Sequence, residues 1–554
     1  MSWIKRLLAV CVVLGIAASP LWAGFITPGM ALAREGARPI ESGTRDARPD
    51  VAREDPRGKV ANVLQTTKET TAAATSTAVP TAIPTSTATP PAGEHASSGS
   101  LGPGRKVTVD LRSDPPPLSS AAAQQVEAAT NKSHKPGPPV PHVPLSLGSQ
   151  PMPVDAGKPG APPAADQPLS SPSDLVAFRD TSLAGLPNAL MSTINEPSVA
   201  VNGDTVLYTG NWYAAVSTNA GTSFSYINPF TAFPASYGGF CCDQNAIYDP
   251  TRDLTIWLLQ YATDGANNNA QRIAVTHGQA GVATGNWTYW DVTSSLTTLG
   301  AGYELDYPHL ALSSNFLYLT TNSFDSHGTF ADSWIFRFPL DGLAAGGSLG
   351  YSLYGSNGGS FAPVSGAINS MYFARHVTSS SLRVYSWPET VASAGVTFVD
   401  VTHSAFLKGS RGAMLCQSPD GANMCGRDDS DLQAGWVAAG VIGFAWDAAQ
   451  GAGGLGSFPY PYVHVVRINE TNKGLVNEPV IWSPSAAFAY PGIGVNGRGH
   501  VAVSLTEAGA TLFPASVLLV WDDLSAGFWQ VAYGRSGVNG PGSNQWGDYL
   551  TVRP

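Results

Sequence analysis

Lysine all but vanishes from this 554-residue sequence after position 174, where only Lys408 and Lys473 remain beside twelve scattered arginines. With no basic stripe to neutralise a phosphate backbone, the composition argues against a nucleic-acid partner. Charge of either sign is scarce: 13% of residues are charged, about half the usual one-quarter of a soluble domain. What charge there is divides unevenly, with a net of +3 over residues 1–173 and −13 over residues 174–554. Cysteine is limited to five positions, and helical periodicity is nearly absent. There is no Cys/His zinc spacing, no His-Glu-x-x-His and no phosphate-binding Gly-Lys-Ser/Thr string, and nothing calls for an organic cofactor.

What is present begins with an export pattern. Lys5 and Arg6 precede an apolar run from Leu7 to Ala18, and small residues follow to Ala31-Leu32-Ala33. This predicts a cleaved signal peptide over 1–33, with Pro20 and Pro28 breaking the run that an uncleaved anchor would need. No later segment is apolar and long enough to span a bilayer as a helix, so no integral membrane segment is expected after cleavage. Residues 34–173 pass from a charged stretch through Thr/Ala/Pro to Pro/Gly/Ser without hydrophobic period. Such a composition predicts a disordered stalk or linker.

From residue 174 to 554 short apolar and aromatic runs alternate with Gly, Asn, Asp and Pro, as in Leu254–Gln260, Phe316–Thr320 and Val517–Trp521. This predicts an all-β domain. Acidic or polar residues enter short apolar strands at Glu196, Asp243, Asp306 and Asp548, with Glu196 and Asp243 47 residues apart and Asp243 and Asp306 63 apart. Units of that length predict a β-propeller of six or seven four-stranded blades, the last closed by a strand from the Leu175–Leu183 segment.

Ser217-Thr-Asn-Ala-Gly-Thr-Ser-Phe224 resembles the Asp-box of sialidase-type propellers, Ser-x-Asp-x-Gly-x-Thr-Trp, with Asn219 at the Asp position. Ser418–Met424 is a poorer echo, and Trp546-Gly-Asp-Tyr549 resembles strands of secreted bacterial propellers. The resemblance implies a fold, since the Asp-box is a turn between outer strands away from the central site. It does not carry the sialidase chemistry over, because the Arg-Ile-Pro motif is missing and Phe336-Arg-Phe-Pro339 reads as an ordinary strand.

In a propeller the loops before the innermost strands crowd onto one face. Glu196, Asp243, Asp306 and Asp548 would then ring the channel mouth, with Gln244, Tyr307, His309 and Tyr549 beside them and Trp212 exposed for stacking on a sugar. Paired carboxylates in such a ring suit general acid and base work, or a hard cation. Cys416 and Cys425 flank a short loop and form a plausible pair, leaving adjacent Cys241 and Cys242 to bridge each other; alternatively each bonds to one of the distant pair. A vicinal bridge would set a rigid apolar plate before Asp243. Asp429 and Asp431 alternate as calcium ligands do, but the rest of a calcium loop is missing and a solvated acidic loop explains them better. The sequence therefore predicts a secreted or cell-surface propeller that binds an extracellular glycan. A glycan-cleaving hydrolase or lyase and a protein-interaction scaffold are the alternatives.

Overall fold

Strand follows strand here because each apolar run is short and bounded by a turn-forming residue. The computed structural model describes Pro90, residues 92–113, Leu183, residues 196–521, 530–537 and 539–541, Gly547 and residues 550–553. The expected signal peptide, most of the expected stalk, Asp548 and Tyr549 lie outside the described residues.

Two strands precede the main body, β1 (Glu94–Pro103) and β2 (Arg105–Thr108). The first sheet is a meander of β3 (Ser198–Asn202), β4 (Thr205–Thr209), β5 (Ala214–Ser217) and β6 (Ser225–Ile227). The second orders β7 (Phe240–Asp249), β8 (Leu254–Tyr261), β9 (Gln271–His277) and β10 (Asn286–Val292), with β2 added beyond β10. The third orders β11 (Glu304–Leu312), β12 (Phe316–Phe324), β13 (Phe330–Pro339) and β14 (Ser348–Ser356), with β1 added beyond β14. Next come β15 (Ala362–Ser365), β16 (Ser370–Thr378), β17 (Ser381–Pro388) and β18 (Thr397–Thr402), then β19 (Leu432–Ala438) and β20 (Val441–Ala448). After the small ribbon of β21 (Gly451–Gly453) and β22 (Gly456–Phe458) follow β23 (Tyr462–Asn469), β24 (Leu475–Asn477) and β25 (Val480–Ile481). A last meander joins β26 (Ala487–Val495), β27 (Val501–Gly509), β28 (Leu512–Trp521) and β29 (Gln530–Ser536).

The expectation of six or seven separate four-stranded blades is corrected by this pairing. Among the described residues four discrete blade-like sheets are present, two of them five-stranded, while β15 to β20 and β23 to β25 share one nine-stranded sheet. The fusion is a parallel pairing of β15 with β19, Val364 opposite Gly435 and Ser365 opposite Trp436. Gly435 permits it: a Cβ there would stand 2.8 Å from the Phe444 ring and 3.1 Å from Val364. Removing a side chain lets two backbones close up.

Apolar contact lies between neighbouring sheets. One cluster joins Ile256, Leu258 and Trp290 of the second sheet to Leu310, Leu317 and Phe336 of the third. Another joins Leu207 and Val216 of the first sheet to Trp257 and Leu259 of the second. Strand β8 is buried at every position, which explains why Leu254–Tyr261 reads as an unbroken apolar run. The innermost strands line one axial channel of about 430 Å³, whose wall includes Val201, Ile247, Leu310, Pro363, Ala434 and Ile493. Leu550–Arg553 completes the wall: Arg553 Nε donates to the Ala246 carbonyl at 2.9 Å, and Thr551 Oγ1 donates to that of Pro197 at 3.1 Å. On the other side, Gly492 and Gly494 leave room for the Leu550 and Val552 carbonyls. Leu183 packs with Val199 and Tyr208 on the first sheet.

The segment expected to be wholly disordered differs as well, since β1 and β2 lie inside it. Their sequence, Glu-His-Ala-Ser-Ser-Gly-Ser-Leu-Gly-Pro, offers little apolar area, so main-chain pairing holds them. Residues 94–112 run along the outer edges of successive sheets: β1 on β14, β2 on β10, and Arg112 bridged to Tyr226 of β6. Such edges would otherwise expose unpaired N–H and C=O groups. Glu94, buried, anchors the far end by accepting from Tyr385 Oη at 3.0 Å beside Arg383 and Arg375 at 3.5 and 3.7 Å. Removing one member of a buried charge cluster strands the others. Glu94→Ala is expected to cost about 3 kcal/mol in urea unfolding, and an unchanged midpoint would show that the strap carries no stability.

Candidate ligand site at the channel mouth

The site is assembled by amide and carboxylate side chains that end the second strand of one sheet and grip the entry of the next. Asn211 donates through Nδ2 to Glu196 Oε2 at 2.9 Å and accepts from the Asp243 N–H at 3.1 Å. Gln260 of β8 donates to Asp306 Oδ1 at 2.6 Å, and Asn322 of β12 donates to Ser360 Oγ at 3.0 Å. Ser360 in turn donates to Asp431 Oδ2 at 2.8 Å. Asp447 of β20 accepts from the Tyr490 N–H at 2.8 Å. These four gripping residues are all buried, and the Asn211, Asn322 and Asp447 bonds are made where water cannot replace them.

Five entry residues hold left-handed backbone without being glycine: Glu196 (φ 40°), Asp243 (φ 30°), Tyr307 (φ 60°), Ser430 (φ 62°) and Tyr490 (φ 60°). β-Bulges accompany three of them, between Cys242 and Gln244, Asp306 and His309, and Ala489 and Gly492. Bulges of this kind re-aim side chains, and such φ values cost on the order of 1–3 kcal/mol apiece, a strain that clusters at functional sites. Cys241 and Cys242 are bridged to each other directly before Asp243, and Cys416 is bridged to Cys425.

The residues anticipated from sequence fall into three groups. Glu196, Asp243 and Asp306 stand at consecutive sheet entries, the first two sharing Asn211. Tyr307 meets His309 edge to face at 4.6 Å, and His309 lines the channel. Trp212, half-buried, follows Asn211 on the same rim. Gln244 is fully employed in structure: its amide donates to the Gly210 and Tyr213 carbonyls at 2.7 and 3.0 Å and accepts from Trp257 Nε1 at 3.0 Å. Asp429 and Asp431 ion-pair with Arg411 and Lys408, each at 3.6 Å. The Ser217–Phe224 turn joins outer strands β5 and β6, with Asn219 Oδ1 accepting from Ser217 Oγ and the Ser223 N–H at 2.9 Å.

Sequence reasoning missed Asp428, Asp447, Tyr490 and Glu507. Tyr490-Pro491 repeats Tyr307-Pro308, a signal that was there to be read. Asp447 is wholly buried, and burial pushes its carboxyl up to about 6 against hydrogen bonds from Asp428, the Tyr490 backbone and Gln433. Burial also raises Glu507, near the end of β27, to about 7. Exposed aromatic surface is found at Tyr237 in the loop before β7, and the half-buried Phe324–Phe330 pair joins β12 to β13.

No protein family and no curated protein matches this sequence. Among solved structures the chain is similar to the apocarotenoid oxygenase of Synechocystis, at 11% identity over 64% of this chain and 73% of that one, with a TM-score of 0.35. It is similar to the Trypanosoma rangeli sialidase solved with the inhibitor DANA, at 12% identity over 61% and 55%, TM-score 0.33. An ulvan lyase matches at 10% identity over 62% and 71%, TM-score 0.25. The resemblance to sialidases and other propeller-fold proteins is distant, and at these scores it carries no argument about activity.

The raised Asp447 carboxyl gives a test of the buried mouth. The folded protein holds this proton more tightly than the unfolded chain, so the stability it contributes is full below about pH 4 and is lost as pH rises through about 6. Asp447→Asn keeps an acceptor for Tyr490 and cannot ionise. Between pH 4 and 7 the wild type should lose on the order of 2 kcal/mol relative to Asp447→Asn, read from urea midpoints across the range. Parallel profiles would place the proton elsewhere.

Proposed function

We propose that this protein is exported and binds an extracellular ligand, a neutral glycan, at the channel mouth on the strand-entry face. The observation that carries this reading is the gathering on one rim of five strained non-glycine entry residues beside the Cys241–Cys242 plate. Hydroxyl-rich ligands need convergent acceptors and flat apolar rings. Half-buried Asp306 supplies an acceptor, with the buried Glu196 and Asp243 at the two preceding entries, while Trp212, Tyr237 and Tyr307 supply the rings. The carboxylates, in a domain of net charge −13, disfavour an anionic sugar. Among the described residues no helix is long and apolar enough to cross a membrane.

A second reading is favoured by the sharing of Asn211. Because one amide touches both the Glu196 carboxylate and the Asp243 backbone, these residues are neighbours at the mouth, as an acid and base acting on one glycosidic bond must be. Asp548 and Tyr549, outside the described residues, belong to this reading as candidates.

Both readings are tested on the full chain, since β1 and β2 belong to its sheets. Wild type, Asp243→Asn and Asp306→Asn are run on a glycan array with product analysis, their folding checked by thermal unfolding. Binding reduced at least tenfold in both variants without turnover by the wild type is the expected result. Turnover by the wild type that the variants lose would instead establish the enzyme. A wild-type protein that engages no glycan at all would overturn both.

A further inference from the structure

Far from the axis, where the outer strands of the nine-stranded sheet meet the loop after β18, three metal-ligating side chains converge in an aromatic pocket. We propose that His403, His464 and Glu478 form a site for a divalent transition metal of the zinc class, bracing the β18 loop against β23 and β25. One ring nitrogen of each histidine and one carboxylate oxygen lie within 4.8 Å of one another. His464 Nε2 and Glu478 Oε2 are already 3.2 Å apart. Donor atoms on a tetrahedral zinc, with bonds of about 2.0–2.1 Å, stand roughly 3.4 Å from each other. Closing the set therefore takes a side-chain movement of at most about 1.5 Å.

The surroundings orient these groups as outer-shell partners orient metal ligands. His403 Nδ1 faces the Ser404 carbonyl at 2.9 Å, which fixes its proton there and leaves Nε2 with a lone pair and no hydrogen-bond partner. Glu478 is held by the Ser404 N–H at 2.7 Å and by Ser404 Oγ at 3.2 Å. His464 is completely buried, and its Nδ1 also lacks a partner. A buried nitrogen left unpaired, as His403 Nε2 is, carries a penalty that a metal ion in the cluster offsets.

Trp446 stacks on His464 at 4.5 Å, and Phe406 lies 6.0 Å from the same ring, so water is kept out on those sides. The Glu478 side chain, 12% exposed, leaves an approach for the ion and a water as fourth ligand. Two imidazoles with a single carboxylate exclude calcium as the preferred occupant, since hard cations take oxygen ligands in larger number. The site is independent of the channel mouth.

The test uses the full chain, stripped of metal and titrated at pH 7.5. One zinc per chain should survive gel filtration and raise Tm by about 5 °C, while calcium leaves Tm unchanged. Cobalt in the wild type should give the intense visible bands of a four-coordinate ion. Glu478→Gln and His403→Gln should weaken zinc binding at least tenfold, whereas His376→Gln, altered beside the same Trp446, should retain it. A wild-type protein that keeps no zinc, or that gives only the weak bands of six-coordinate cobalt, would overturn the site whether or not the variants fold. Undiminished binding by folded Glu478→Gln and His403→Gln would do the same.

Discussion

A buried polar group must find a partner, and the architecture follows from where these side chains find theirs. Asn211, Gln260, Asn322 and Asp447 each end an inner strand of one sheet and bond to the entry of the next. Apolar contact between sheets is non-directional and would tolerate sliding or rotation of one sheet on another. A hydrogen bond made away from water does not, because breaking it strands both partners at about 1–3 kcal/mol. These latches fix the azimuth of each sheet, and because each grips an entry segment, the same bonds set the backbone of the channel mouth. The strained φ values persist there because both flanks are held.

The outer circumference obeys a different rule. Inner edges meet around the channel, but β6, β10 and β14 would present open edges to solvent, and two of the three receive a strand from residues 94–108 while the third takes the Arg112 bridge. This strap needs no apolar pattern of its own, since its donors and acceptors meet a ladder already in place. Charge fastens it: Arg105 pairs with Asp291, which also grips the fully buried Arg272. Arg272 lies against the Tyr261 and Tyr289 rings at 4.3 Å, so a strap residue on the surface is tied to a cation in the core.

This contrast explains what could be read from the sequence. Strand content and the direction of the inner strands were legible because alternation and unbroken apolar runs report burial locally. The entry positions of Glu196, Asp243 and Asp306 were legible because each carboxylate stands directly before an apolar run. The vicinal Cys241–Cys242 bridge was one of two pairings that the cysteine positions left open. The strap was invisible, since edge pairing requires only backbone and Ser-Ser-Gly-Ser reads as linker. The fusion of β15 with β19 was also hidden, because it depends on one missing side chain, Gly435, facing a strand some seventy residues earlier. Asp447 gave no signal either: an Asp inside Phe-Ala-Trp-Asp-Ala looks like the exposed position of an alternating strand until the neighbouring sheet covers it.

The same reasoning separates residues that hold the mouth from residues that face a ligand. Gln244 was as good a candidate as Tyr307 from sequence, yet every polar atom of its amide is used between the first two sheets. A group so committed cannot bind a ligand without releasing what it holds. Asp306 accepts from Gln260 through one oxygen while its residue stays half-buried, and the Tyr307 ring beside it is half-buried too. Below the rim the channel wall is largely aliphatic, with few polar groups to replace the water that a hydroxylated molecule would give up. In the proposed reading a hydroxylated ligand therefore meets the rim, where half-buried polar atoms and ring surface occur together at Asp306 and Tyr307.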